Sequence, residues 1–292
     1  MPTRSLSRAL AALAGVVLAL GLTGCDLAGK DAPGGAQPTP GTDAEVRVPA
    51  YFVGHTPRGP RLYLEQHDAG GSDRLTAAAE ALLAGRPRDP DYRSLLPRGS
   101  LAGTGRVAAH RTGDRVTFSV SVASHRWTRR PHGLSREEAR LAVQELLYTL
   151  RAAAGDGSEA ARIEFRLDGR AVPFLGVPSG ATAAPRVRTL ALVNVLEPDD
   201  QAVVTGDTIS ASGLADSFEA HVPWQVLDDR GRRVLNGFTT AQGWGTRLYP
   251  WQASVDISSL QPGRYTFLAK TSNPSGREGF EPTEDTKTFR VS

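Results

Sequence analysis

The residues that could do chemistry are few and poorly grouped. One cysteine, Cys25, stands alone in 292 residues, and there are six histidines and three lysines against thirty-one arginines. A nucleophile needs a neighbouring base or a lowered pKa, and the chain has no Gly-x-Ser-x-Gly elbow and no Ser-x-x-Lys pair. Neither His-Glu-x-x-His nor Gly-x-x-x-x-Gly-Lys occurs, and His55, His67, His110, His125, His132 and His221 lack ligand-like spacing. Acid pairs such as Asp199-Asp200 and Asp228-Asp229 fall in predicted turns, where short polar side chains favour the backbone geometry. The sequence therefore points to no catalytic residue, no metal site and no cofactor.

Two stretches are candidates for recognition. In His125-Arg-Trp-Thr-Arg-Arg-Pro-His132, Arg126, Arg129 and Arg130 could grip an anionic polymer while Trp127 stacks on a sugar or base. The alternative, a solvated loop with one packed tryptophan, is favoured because a basic loop alone is a weak signal. In Gln242-Gly-Trp-Gly-Thr-Arg-Leu-Tyr-Pro-Trp251, clustered aromatics could form an exposed platform for a polysaccharide or protein. Trp251 reads better as core, and Trp244, between two glycines, as the exposed ring.

The remaining reactive position, Cys25, is explained by its neighbours. Arg4 and Arg8 precede an unbroken run of Ala, Leu, Val and Gly from Ala9 to Leu22. That is the layout of an export signal, and 14 residues are too few for a bilayer span of roughly 20. Leu22-Thr23-Gly24-Cys25 resembles the lipobox of bacterial lipoproteins. The resemblance implies cleavage before Cys25, a diacylglyceryl thioether on its sulfur with acyl chains such as palmitate, and attachment to the outer face of the cytoplasmic membrane. Two acyl chains anchor stably where one binds marginally. Residues 1–24 are thus the expected signal peptide. Residues 25–45, rich in Gly, Pro, Ala, Asp and Thr, are the expected flexible tether, of which the 17 residues Asp26–Thr42 would reach about 20–25 Å as a coil.

The elements behind the tether divide in two. Residues 46–176 carry 20 arginines and 14 acids, whereas 190–292 carry 9 basic and 13 acidic residues, so the halves have opposite charge. With the signal removed the net charge falls from +3 to +1, which predicts no nucleic-acid partner.

The first half reads as an α+β domain, two helices on a mixed sheet. Strands are expected at Val48–Val53, Arg61–Gln66, Arg106–His110, Arg115–Val122 and Ala161–Leu167, with a sixth at Arg170–Leu175 across the Asp168-Gly169 turn. One helix is capped by Ser72 or Asp73 and stopped by Gly85, with a long loop after it to Gly103. The other opens on the capping box Ser135-Arg-Glu-Glu138 and repeats apolar residues from Ala139 to Leu150.

Residues 177–189, with Pro178 and Pro185, are the expected linker. Beyond them helical periodicity stops, and seven short strand-like runs from Leu190 to Val291 predict an all-β immunoglobulin-like sandwich. Its expected core is Phe218, Trp224, Val226, Leu248, Val255 and Phe267, and Leu260-Gln-Pro-Gly-Arg-Tyr265 predicts a tyrosine corner.

At this level the chain resembles a pair of bacterial modules. Tyr51-Phe52, Ala81-Leu-Leu-Ala-Gly85, Leu96-Pro97-Arg98-Gly99 and Phe165-Arg-Leu-Asp168-Gly169 resemble a GerMN domain, although Arg86 intervenes where the family usually places proline directly after the glycine. Val195-Leu-Glu-Pro198, Ile209-Ser-Ala-Ser-Gly213-Leu-Ala215, Phe218-Glu219-Ala220 and Pro262-Gly263-Arg-Tyr265 are similar to the immunoglobulin-like module of spore-germination-type lipoproteins. The resemblance implies a non-enzymatic envelope lipoprotein that contacts envelope proteins or cell-wall polymers, as some relatives do in sporulation complexes. An envelope hydrolase or transferase whose acids and histidines converge only in three dimensions is the rival reading. Capture of a small ligand between the oppositely charged halves is a third.

Overall fold

A hairpin buried on both faces joins two core clusters of the described residues. In the computed structural model, which describes residues 46–70, 73–102, 107–155, 160–273 and 281–292, strand β1 (Val46–Thr56) pairs antiparallel with β2 (Gly59–Ala69) across Pro57-Arg58. The expected signal peptide, Cys25 and the tether lie outside the described residues. Burial along β1 is continuous from Val48 to Gly54, where a one-sided strand would alternate, so both faces must be covered. One face, with Ala50, Phe52 and Tyr63, joins the N-terminal core. The other, with Tyr51, Val53, Leu62 and Leu64, packs with Tyr148, Leu190, Leu196, Leu214 and Leu248, and so reaches the C-terminal half.

Two helices cover the first face. Helix α1 (Arg74–Ala84) is capped by Asp73, whose carboxylate accepts from the Leu75 N–H at 3.1 Å, and ends at Gly85 in the left-handed conformation, φ 59°. After the loop, β3 (Val107–Thr112) and β4 (Arg115–Ser121) form a hairpin, with Val116, Phe118 and Val120 alternating into the core. Helix α2 (Arg136–Ala153) forms the expected capping box: Ser135 Oγ accepts from Glu138 N at 3.0 Å, and Ser135 N donates to Glu138 Oε2 at 2.9 Å. This helix carries the chain to β5 (Arg162–Leu167), which pairs parallel with β4, a connection that requires such a crossover. Strand β6 (Arg170–Ala171) is only two residues long, because Phe174 turns to bridge Val177 instead of extending the expected strand to Leu175.

The expected linker is fastened along α2. Strand β7 (Ala181–Thr182) pairs with β5, and Gln144 bonds Thr182 O and Ala184 N. A single helical turn, α3 (Arg186–Thr189), then leads to Leu190, which bridges Leu62.

The rest is all strand: β8 (Val193–Glu197), β9 (Ala202–Val204), β10 (Thr208–Ala215), β11 (His221–Leu227), β12 (Arg233–Thr240), β13 (Tyr249–Asp256), β14 (Gly263–Lys270) and β15 (Glu284–Val291). They form two sheets, β13-β10-β8 and β12-β11-β14-β15-β9, around Val193, Ile209, Val222, Trp251, Phe267 and Phe289. The described chain is therefore mostly β with few helices, and these sheets are consistent with an immunoglobulin-like domain. The tyrosine corner forms: Tyr265 OH donates to Gln261 O at 2.8 Å. Strand β9 was not among the seven expected runs, being three residues held by parallel pairing to β15.

Two core expectations are corrected. Phe218 is 36 % exposed, because residues 218–220 form a tight turn with Glu219 and Ala220 at positive φ, so the strand begins only at His221. Leu248 packs with Leu190 and Tyr51 instead of inside the sandwich.

Gly213 explains its own motif. It sits at a register shift between β10 and β8, and a Cβ there would lie 1.9 Å from Asn194 O and 2.8 Å from the Trp251 ring. A carbonyl in a paired strand cannot retreat, so Gly213→Ala is expected to cost about 3 kcal/mol, the upper end for overpacking. A urea-unfolding curve checks it; a loss below about 1 kcal/mol would contradict the clash.

Candidate functional site

The basic loop does not present its tryptophan. Residues His125–Thr128 coil into a 3-10 turn that tucks Trp127 into the N-terminal core, leaving it 9 % exposed, while its carbonyl accepts from Leu175 N at 2.8 Å. Arg126 lies over that ring, 4.1 Å from its centroid. Trp127 is thus packed, as in the favoured alternative of a solvated loop with one packed tryptophan, and is not placed to stack on a sugar or base. Arg129 stays exposed, and Arg130 donates to Leu134 O and shares a shallow basic groove with Arg136 and Arg140.

The second stretch separates as its spacing suggested. Trp251 is buried against Phe267, whereas Trp244 is 50 % exposed and meets Phe218 edge-to-face at 5.1 Å. This pair is mounted firmly. Asp216 Oδ1 accepts from Gly245 N at 2.6 Å, its other oxygen pairs with Arg186, and Arg186 donates to Gly245 O at 3.0 Å. One carboxylate and one guanidinium therefore tie the Trp244 loop to α3 and to the residue after β10. Two large apolar rings are thus held partly exposed by this frame.

A third constellation escaped the sequence reading altogether. Lys287, 5 % exposed on β15, pairs with Asp89, bonds Tyr92 OH at 3.1 Å and lies 3.6 Å from Asp285. Asp285 in turn accepts from Tyr92 OH and from Val195 N, both at 2.5 Å. Glu65 receives Asp89 N at 2.8 Å, Arg88 N at 2.9 Å and His67 at 2.8 Å. Asn194 Oδ1 accepts from Leu64 N at 2.7 Å.

Burial alone would lower the Lys287 pKa, but Asp285 and Asp89 outweigh it and hold it above the ordinary ammonium value. Burial raises both aspartates against the pull of Lys287. Burial would likewise raise Glu65, but the His67 ring and the two backbone donors hold it lower. Lys287 is buried with hydrogen bonds to Asp89 and Tyr92 and an ion pair to Asp285, so the cluster staples the hairpin and its following loop to the β-sandwich. Period-2 spacing contained the clue: Asp285 and Lys287 share the inward face of β15 with Phe289 and Val291, and inward charges need partners.

Among the described residues no three His, Cys, Asp or Glu side chains converge as a metal site, and no helix is long and apolar enough to cross a membrane.

Comparison with known proteins bears on one domain. No curated protein matches the chain. Among solved structures, an engineered protein is 16 % identical over 52 % of this chain and 36 % of that one, with a TM-score of 0.28. The tandem GerMN domains of the sporulation protein GerM from Bacillus subtilis are 15 % identical over 74 % of this chain and 62 % of that one, at 0.35. CopC from Methylosinus trichosporium OB3b is 16 % identical over 34 % of this chain and 93 % of that one, at 0.24. The chain thus spans about a third of the first of these and about three-fifths of the second. The sequence is more specific than these likenesses: residues 192–278, which include β8 and run through β14, match the family model of Gmad2, the immunoglobulin-like domain of bacterial spore germination.

Proposed function

We propose that this chain is a lipid-anchored, extracytoplasmic interaction protein of the spore-germination type. In this reading Cys25 carries a diacylglyceryl anchor in the outer leaflet of the cytoplasmic membrane, and residues 25–45 are the tether. A GerMN-like α+β domain of two helices on a mixed sheet, and the immunoglobulin-like sandwich, then act without catalysis on envelope proteins or cell-wall polymers. The observation that carries it is the exposed Phe218–Trp244 pair, which lies within the matched region and is fixed by Asp216 and Gly245 of that region together with Arg186 just before it. Supporting it are the Leu22-Thr23-Gly24-Cys25 sequence and the lack of nucleophile and metal motifs in the sequence.

Affinity capture of the full chain from crosslinked membranes, together with sedimentation on purified cell-wall material, tests the reading. A reproducible partner or wall retention is expected, reduced at least about tenfold by Trp244→Ala, as for an interface hot spot. Absence of both would overturn it. Mass spectrometry of the mature amino terminus is expected to show a diacylglyceryl Cys25, and an unmodified cysteine or a different start would remove the anchor.

A further inference from the structure

A cleft of about 450 Å³ opens where the two halves and the segment between them meet. Its floor is apolar and aromatic: Tyr51 and Tyr148, ring centroids 5.8 Å apart, with Leu190, Leu214 and Leu248. Among the described residues its charged lining is one-signed, for Arg151, Arg186 and Arg247 reach it and no carboxylate does. Arg186 is neutralised by Asp216, but no carboxylate among the described residues pairs with Arg151 or Arg247. Arg151 instead lies over the Tyr148 ring at 5.1 Å with its Nε enclosed and without a hydrogen-bond partner, and Arg247 lies over Tyr249 at 4.9 Å.

Two guanidinium groups that no carboxylate among the described residues pairs with, beside an apolar floor, define a complement. The C-terminal end of α2 adds roughly half a negative charge nearby, which two full positive charges outweigh. Guanidinium groups match carboxylate and phosphate oxygens in fork geometry. Pockets of about 300–1,000 Å³ with apolar walls and a few placed polar groups are the usual size for small molecules. We propose that this cleft binds an amphiphilic oxyanion, a carboxylate or phosphate head held between Arg151 and Arg247 with an apolar body on Tyr51, Leu190, Leu214 and Leu248. The head belongs either to a free small molecule or to a membrane lipid.

Calorimetric titration of the full chain with 2-naphthoate, 1-naphthyl phosphate and the uncharged 2-naphthalenemethanol tests the chemistry, and phosphatidylglycerol vesicles test the lipid source. Saturable binding of at least one anionic probe is expected, with the alcohol at least about tenfold weaker. Arg151→Met and Arg247→Met should each weaken it about tenfold or more, the loss of a charge-assisted contact. Arg247 is exposed, so its variant keeps the test valid if Arg151→Met fails to fold. Vesicle binding that depends on Arg247 assigns the head to a lipid, and naphthyl binding alone assigns it to a free ligand. No saturable binding to any probe, equal binding of the alcohol, or binding that both variants leave unchanged overturns the proposal.

Discussion

Replacing Lys287 by methionine is expected to destabilise the folded chain by about 3–5 kcal/mol at neutral pH, the loss seen when one partner of a buried ion pair is removed. The reason lies in what remains. Asp89 and Asp285 are both buried and both raised by burial, and among the described residues Lys287 is the only cation within an ion-pair distance of either. The sign with pH follows. A carboxylate whose folded pKa is raised penalises folding as pH climbs above its unfolded value, so the variant should lie closest to wild type in acid and furthest from it above neutrality. The wild-type lysine behaves in the opposite sense. Its raised pKa contributes stability in full below the ordinary value of 10.5 and loses it only as pH rises through the folded value. Urea unfolding at pH 5 and pH 8 checks this. Adding Asp89→Asn to Lys287→Met should recover part of the loss, because one of two unpaired charges is gone. A single-variant loss under about 1 kcal/mol would show that the staple contributes little.

Glu145→Gln should do the reverse and stabilise the protein, but only toward alkaline pH. Glu145 is fully buried on α2, where one oxygen accepts from Leu95 N at 3.0 Å and the other has no partner among the described residues. Burial pushes its pKa up to about 8, against the Leu95 N–H, the Ser94 hydroxyl and Arg93. Between pH 5 and 8 the unfolded carboxyl has already lost its proton while the folded one keeps it, so folding forfeits about 3–4 kcal/mol over that range. Glutamine keeps the shape and an oxygen for Leu95 and cannot ionise. The difference between variant and wild type should therefore be small near pH 5 and grow to about 3 kcal/mol at pH 8, since other titrating groups cancel in the difference. Parallel stability profiles would show that Glu145 does not hold its proton.

Local hydrogen bonds made parts of the fold legible. The α2 capping box spans four residues, and the tyrosine corner joins Tyr265 to Gln261, four residues back. Asp73 and Gly85 mark the ends of α1 for the same reason. The alternation of Val116, Phe118 and Val120 gave the buried face of β4, because a pleated strand repeats every two residues. Errors came where partners are remote. Phe218 turned outward because two positive-φ residues follow it, a conformation that no side-chain pattern announces. The packed Trp127, by contrast, agrees with the reading favoured for its loop, a solvated segment with one packed tryptophan.

The sequence by itself determined the types of element, their caps and turns, the opposite charge of the halves and the isolation of Cys25, since each depends on residues within a few positions of one another. Tertiary structure alone decided that β1 is covered on both faces and that a long loop is locked to the last strand. It alone brought Arg151 and Arg247, far apart in the sequence, to the lining of one apolar cleft. Asp89 and Lys287 stand 198 positions apart. Their attraction exists only after the fold has removed the water between them, so a charge that reads as a solvated surface residue in one dimension becomes a buried joint in three.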